Sequence, residues 1–252
     1  MKTILIIANN VAREIFRKKD FYVLVALLIA LMCYLVNITF FDIGRMHRFL
    51  IEVGLSMVFL FSIILSIPFA AKLMIDESKN KTIYPLLAKP IHRFHVILGK
   101  FLGSLYASIG CFTILFTLFS AFSLYKQGLS SLTMYMQVYS CGALMLIMLN
   151  ALVICLSIFC TYSTSVTLGF AIFFLMSWFS ASLRSSFENI PFLGTVIYYL
   201  LPHFEFFDLR HRLIHNWELL PVSIFAFLII YCCIYTGLLL LASYEIFKKK
   251  WL

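Results

Sequence analysis

Charge is what this sequence has least of. Asp, Glu, Lys and Arg make up only 12% of its 252 residues, against about 25% in soluble domains. Apolar residues make up 63%, and the mean hydropathy is +0.99. So small a stock of charge cannot cover a water-facing surface, and lipid must cover much of it. A soluble enzyme and a disordered chain are thereby excluded. An outer-membrane barrel is excluded too, because its strands would alternate polar and apolar residues. The chain also lacks a phosphate-binding loop: Gly99-Lys100 is followed by Phe101, with no glycine at the required upstream position. It therefore does not hydrolyse ATP by that route. The seven cysteines are odd in number, form no C-x-x-C and fall in apolar runs, so they read as small packing residues.

What is present is long charge-free runs, at residues 21–41, 53–71, 101–125, 127–183 and 219–244. Runs above about 18 residues are candidate membrane helices. The fourth would reach about 85 Å as one helix, so it must fold back within a hydrocarbon core of about 30 Å. The polar stretch Thr161-Tyr162-Ser163-Thr164-Ser165 is the expected turn. An all-α polytopic membrane protein with six spans follows, at 21–41, 50–73, 101–125, 139–160, 166–183 and 221–243, in one transmembrane domain covering 1–252. Pro68 is expected to kink the second span.

Lysine and arginine set the orientation. With both termini cytoplasmic, only Arg45, Arg48, Lys126, Arg184, Arg210 and Arg212 fall outside, and the other 14 of the 20 fall inside. The net charge of +9 then reads as topology and attraction to anionic inner-leaflet lipid, with no nucleic-acid partner. The N-terminus is no signal peptide, since Ile4–Ala8 is too short an apolar stretch. Instead Ile4, Ala8, Val11 and Ile15 share one helical face and Asn10, Arg13, Glu14 and Arg17 another, an interfacial amphipathic helix over 1–19. A plain cytoplasmic extension of the first span fits the same residues.

The spans carry almost no ionisable groups beyond Glu52 and Lys72 at the ends of the second, and no internal repeat is visible. An ion-coupled carrier must bind its ion inside the membrane. Active transport would therefore draw its energy from outside these helices. Two segments stand apart. The inner connection, residues 72–100, is long for a helical bundle, where about 2–8 residues is usual. It joins a charged turn from Asp76 to Lys81 to an apolar-polar stretch ended by Pro90. A short helix there, presenting charge beside Leu86 and Leu87, suits docking into a groove on a cytoplasmic partner; an ordinary solvated loop fits the composition as well. The outer segment, residues 184–220, contains a charge-free stretch at 189–204, interrupted by Pro191, Gly194 and Pro202. That is too short to span and reads as re-entrant or interfacial.

The string Glu77-Ser78-Lys79-Asn80-Lys81-Thr82-Ile83-x-x-Leu86-Leu87-Ala88-Lys89-Pro90-Ile91-x-Arg93, followed by Gly99-Lys100, resembles the first inner loop of type 2 ABC transporter permeases. Lys81 stands where that family commonly has Gly, and His92 where it has Ser. Leu200-Leu201-Pro202-His203-Phe204-Glu205-Phe206-Phe207-Asp208-Leu209-Arg210 is similar to the same family's proline-centred outer motif. The resemblance covers nearly the whole chain. It implies a permease in the cytoplasmic (inner) membrane, paired with a second copy or a homologue. Asp76, Glu77, Lys81, Thr82, Leu86, Leu87, Pro90 and Arg93 would form the coupling loop that meets a separate cytoplasmic ABC ATPase. ATP and magnesium would sit on that partner, with no cofactor in this chain. The second and fifth spans would line the passage, and Phe59, Ser62, Ser66, Phe170, Phe173, Phe174, Ser177 and Trp178 are the candidate lining residues. Aromatic packing against lipid and protein accounts for the same residues. An uncharged, aromatic route would suit an amphiphilic or lipid-like cargo.

Asp208, His211 and His215 fall at i, i+3 and i+7, on one face if the segment is helical, where they could hold Zn²⁺ or Cu²⁺. Alternatively they form the solvated face of an interfacial helix, with Leu209, Leu213 and Ile214 toward lipid. His92 and His95 read as headgroup anchors. Two rivals to a permease remain: an intramembrane enzyme using that outer metal set, since no G-x-S-x-G or H-E-x-x-H occurs, and a membrane anchor or sensor that recruits a cytoplasmic partner.

Overall fold

The structure, a computed structural model, describes residues 6, 8–10, 13, 22, 23, 26, 27, 29, 30, 46–79, 93–127, 132–178, 202–215 and 217–250. Five long or medium helices run through these residues: α1 (Met46–Lys79), α2 (Arg93–Gln127), α3 (Leu132–Phe159), α4 (Tyr162–Trp178) and α6 (Val222–Lys250). Between α4 and α6 lie a 3-10 turn (Phe204–Phe207) and the short helix α5 (Arg210–Ile214). No strand occurs among the described residues. Four of the helices, α1, α2, α3 and α6, are long and apolar enough to cross a membrane, and α4 is a shorter apolar helix. The second to sixth expected spans thus correspond to α1, α2, α3, α4 and α6. Most of the first lies outside the described residues, although Tyr22, Val23, Ala26, Leu27, Ile29 and Ala30 are helical. In the N-terminal segment Ala8 is buried while Ile6, Asn10 and Arg13 are exposed, and the other residues of the expected amphipathic faces lie outside the described residues.

The long charge-free run does fold back, and it breaks at Cys160-Thr161, where the polar stretch begins. The helices otherwise outrun the charge-free segments. α1 continues through Asp76, Glu77 and Lys79, and α2 already begins at Arg93. The inner connection therefore narrows to residues 80–92, which lie outside the described residues. Loss of hydropathy marks where a helix leaves lipid, not where it stops. Residues 72–79 contain neither proline nor glycine, so nothing local ends the helix. The same effect puts Lys100, expected at the loop's end, inside α2 and fully buried, where it is held by an interaction.

α3 is the central column. It contacts α1, α2, α4 and α6, and 72% of its span is buried. α6 is peripheral, with 22% of its span buried. Its inward stripe is Leu228, Cys232, Thr236, Leu240, Ser243 and Phe247, at helical spacing, while Val222, Phe227, Ile230, Ile234, Leu238 and Leu241 point outward.

Lipid is as apolar as leucine, so helices in it associate through close packing and polar contacts. Both are visible on α3. Asn150 donates from Nδ2 to Ser66 Oγ of α1 at 2.8 Å, and Ser108 Oγ of α2 donates to Asn150 Oδ1 at 3.4 Å. Gln137 closes a two-way amide clamp on Leu220, which donates its N–H to Oε1 at 3.0 Å and accepts from Nε2 at 3.2 Å. Cys232 Sγ of α6 donates to the Leu144 carbonyl at 3.4 Å. Close packing centres on Gly142, where an added Cβ would lie 2.6 Å from Phe112 Cζ and 3.0 Å from Phe59 Cζ. Phe112 cannot swing away, because it is buried edge-on to Phe59 (5.4 Å) and stacked on Tyr139 (5.4 Å).

Two substitutions test this packing. Gly142→Ala is expected to destabilise the bundle by about 1–3 kcal/mol through overpacking. Asn150→Leu is expected to cost about 1–2 kcal/mol, because it strips an interhelical bond in a dry setting. Unfolding of the purified chain, monitored by helical circular dichroism in detergent, checks both.

Candidate functional site

A cavity of about 680 Å³ opens at the end of the bundle where α1 begins and α4 ends. Its floor comes from two helical stripes. Ser56, Phe59, Leu60, Ile63 and Ile64 follow the i, i+3, i+4, i+7, i+8 spacing of one face of α1. Phe170, Phe173, Phe174 and Ser177 do the same on α4, and Met145 of α3 completes the floor. The roof is the segment before α6, which supplies Phe204, Glu205, Asp208, Arg210 and His211. Among the described residues that line the cavity, all the charge therefore comes from the roof, and the helical walls are apolar except for Ser56 and Ser177.

The roof is anchored by its aromatic residues. A 3-10 turn brings side chains three apart into register, so Phe204 and Phe207 both turn inward and are fully buried. Phe204 meets Phe173 of α4 with ring centroids 5.2 Å apart, and Phe207 meets Tyr231 of α6 at 6.2 Å. The His203 backbone N–H donates to Tyr231 Oη at 3.2 Å. Beyond the turn, Leu209, Leu213 and Ile214 are buried, and α5 packs on α1 and α3. These three residues were expected to face lipid. They face protein, because the segment folds down over the bundle instead of lying flat beside it.

One ion pair organises the polar corner. Arg210 donates to Asp208 Oδ1 from Nε at 2.7 Å and to Oδ2 from Nη2 at 2.5 Å, while its backbone N–H donates to Oδ1 at 3.1 Å. The guanidinium carbon also lies 5.4 Å from the centroid of the Phe59 ring. Burial pushes the Asp208 carboxyl up, but the hydrogen bonds and charge of Arg210, helped by His211, outweigh it and hold Asp208 below its ordinary value of 3.8. Both side chains keep about a quarter of their surface exposed, 29% for Arg210 and 25% for Asp208. A pair this open, with a cation over an aromatic face, contributes on the order of 1 kcal/mol.

The structure brings five of the eight candidate lining residues, Phe59, Phe170, Phe173, Phe174 and Ser177, to this one cavity. Ser62 and Ser66 lie off the α1 stripe: Ser62 Oγ donates to the Val58 carbonyl of its own helix at 2.6 Å, and Ser66 accepts from Asn150 of α3. The Trp178 side chain lies outside the described residues. Of the coupling-loop residues, Asp76 and Glu77 sit in the last turns of α1 and Arg93 opens α2. Lys81, Thr82, Leu86, Leu87 and Pro90 lie outside the described residues.

The candidate metal set is not assembled. Asp208 precedes α5 in extended conformation, so the i, i+3, i+7 face does not form. Its carboxylate is engaged by Arg210, and His215 stacks on Trp217 with ring centroids 5.7 Å apart. Among the described residues no three His, Cys, Asp or Glu side chains gather as metal ligands. Sequence reasoning missed the Asp208–Arg210 pair and the Gln137 clamp. The acid two residues before a base, in a proline-bounded non-helical stretch, was the available signal for the first.

These features define a multi-pass helical membrane protein with a ligand-sized cavity under an ion-paired roof. The model of the ABC-2 family transporter proteins matches residues 5–251, so the chain belongs to that family. It is the membrane subunit of an ABC transporter, a class in which ATP hydrolysis resides in a separate subunit. Among curated proteins, none matches the sequence.

The lowered Asp208 carboxyl gives a signed pH dependence. Its contribution to stability is complete above the ordinary carboxylate value of 3.8 and is lost as pH falls through the lower folded-state value. The unfolding midpoint of the wild type is expected to carry an acid step below pH 3.8 that Asp208→Asn lacks, measured by thermal scans in detergent from neutral pH downward.

Proposed function

We propose that this chain is the permease subunit of an ATP-driven exporter, with six spans and both termini in the cytoplasm of a cell whose inner membrane holds it. Two copies, or one copy and a homologue, pair in the membrane. Each docks a cytoplasmic ABC ATPase, which carries the ATP and magnesium, through the segment from Asp76 to Arg93. Closure of the two ATPases presses those segments together and rocks the helices between inward- and outward-facing states. The cavity beneath the roof is then part of the outer end of the route, and its cargo is amphiphilic or lipid-like.

The observation that carries this reading is the family's coverage of residues 5–251, nearly the whole chain. The site adds support from chemistry. A cavity whose helical walls are apolar and whose charges stand on one side offers an amphiphile two unlike surfaces at once. The helices that continue beyond lipid through Asp76 and Glu77 and from Arg93 supply rigid arms on which a docking force can act. An amphipathic segment inserted in a partner's groove transmits push only if what bears it is stiff.

Co-expression of the chain with an ABC ATPase from the same organism tests the reading. The two are expected to co-purify, and Glu77→Lys or Leu86→Asp is expected to lower coupled ATP turnover about tenfold, as loss of one interface anchor does. A solubilised chain that never retains a nucleotide-binding subunit, or turnover indifferent to both changes, contradicts the proposal.

A further inference from the structure

The polar corner of the cavity already holds a cation, and that cation belongs to the protein. The Arg210 guanidinium rests against the Asp208 carboxylate and over the Phe59 ring, at the boundary between the charged roof and the apolar floor. A carboxylate beside an aromatic face is the pairing that recognises organic cations. An anionic headgroup would find this corner hostile. Asp208 takes two of the five N–H donors of Arg210, through Nε and Nη2, so an anion could bind only at the remaining donors, where it would lie beside the Asp208 negative charge. A cation meets the reverse situation, since it can take the place of Arg210 on both surfaces.

Below the corner the chamber turns apolar, with Phe170, Phe174 and Ile63 on its walls. Its volume of about 680 Å³ lies within the range of about 300–1,000 Å³ usual for small-molecule sites. We propose that the cavity binds a single-chain amphiphile with a cationic head, the head on Asp208 and Phe59 and the tail among the α1 and α4 aromatics, and that Arg210 is a tethered competitor occupying the head position when the site is empty of ligand. This rests on the cavity being part of the route, and it goes further by assigning the sign of the headgroup and a self-occluding role to Arg210. The exposure that the ion pair keeps, about a quarter of each side chain, makes the exchange feasible without unfolding the roof.

The test uses the full chain in lipid nanodiscs and a dodecylammonium probe carrying a diazirine at its tail, with sites of photolabelling read by mass spectrometry. Labelling is expected on the α4 segment around Phe170 and Phe174, displaced by unlabelled dodecylammonium and not by dodecyl sulfate. Arg210→Ala is expected to raise labelling at low probe concentration about fivefold, as removal of a partly exposed internal partner allows, and Asp208→Asn to lower it toward background. Displacement by dodecyl sulfate in preference to dodecylammonium, displacement by neither, or weaker labelling in Arg210→Ala overturns the proposal. Gel filtration establishes that each variant is folded. If Arg210→Ala is not, Arg210→Gln takes its place and the wild-type competition decides the sign of the head unaided. No ATPase is present in this assay, so its outcome is separable from that of the co-purification: lost docking with retained cation labelling would sink the exporter reading alone.

Discussion

Hydrocarbon removes the usual reason for helices to stick together, and the rest of this structure follows from how the chain replaces it. Apolar side chains gain little by leaving lipid for another helix. What specifies the arrangement is a small set of polar contacts on α3 and one place where α3 has no side chain. Asn150 reaches α1 and is reached from α2, Gln137 grips the start of the α6 arm at Leu220, and Gly142 lets the Phe59 and Phe112 rings close on the α3 backbone. Because Phe59 belongs to the Gly142 contact and also floors the cavity beneath Arg210, the packing of the column and the shape of the site share a residue.

The site inherits its polarity from the same constraint. Helical walls in lipid can carry hydroxyls bonded back to their own carbonyls, as Ser177 Oγ does to Phe173 at 2.9 Å, but full charges there are expensive. Charge is affordable in the segment between α4 and α6, whose ion pair keeps contact with water. Folding that segment down by way of Phe204 and Phe207 brings its carboxylates and guanidinium onto an apolar chamber. An amphipathic cavity results from stacking a polar roof on apolar walls, without burying a charge in either helix stripe.

The helical class, the correspondence of four charge-free runs to five helices, and the fold-back of the longest run were legible because each rests on where charge is absent, and that can be read residue by residue. Helix ends were not, because Asp76, Glu77, Lys79 and Lys100 end the hydropathy without ending the helix. On the site, Phe170, Phe173, Phe174 and Ser177 stand in the sequence at i, i+3, i+4 and i+7, a spacing that helical geometry turns into one face. Ser62 and Ser66 share the hydroxyl chemistry but not the α1 stripe: Ser62 bonds back to its own helix at Val58, and Ser66 accepts from Asn150 of α3. The Asp208, His211 and His215 set failed for a related reason. The i, i+3, i+7 spacing requires a helix through Asp208, but Asp208 is extended and the helix begins only at Arg210, a path set by the tertiary contacts of Phe204 and Phe207 and the burial of Leu209.

At the centre of this account is a division of labour in which the membrane helices shape a route and a separate cytoplasmic engine drives it. Uptake or release of a fluorescent amphiphile by sealed proteoliposomes, compared across driving forces, measures that most directly. The account predicts movement only when the partner ATPase and ATP with magnesium are both supplied, and none from an imposed proton or sodium gradient. Accumulation by this chain alone, powered by either gradient, would contradict it.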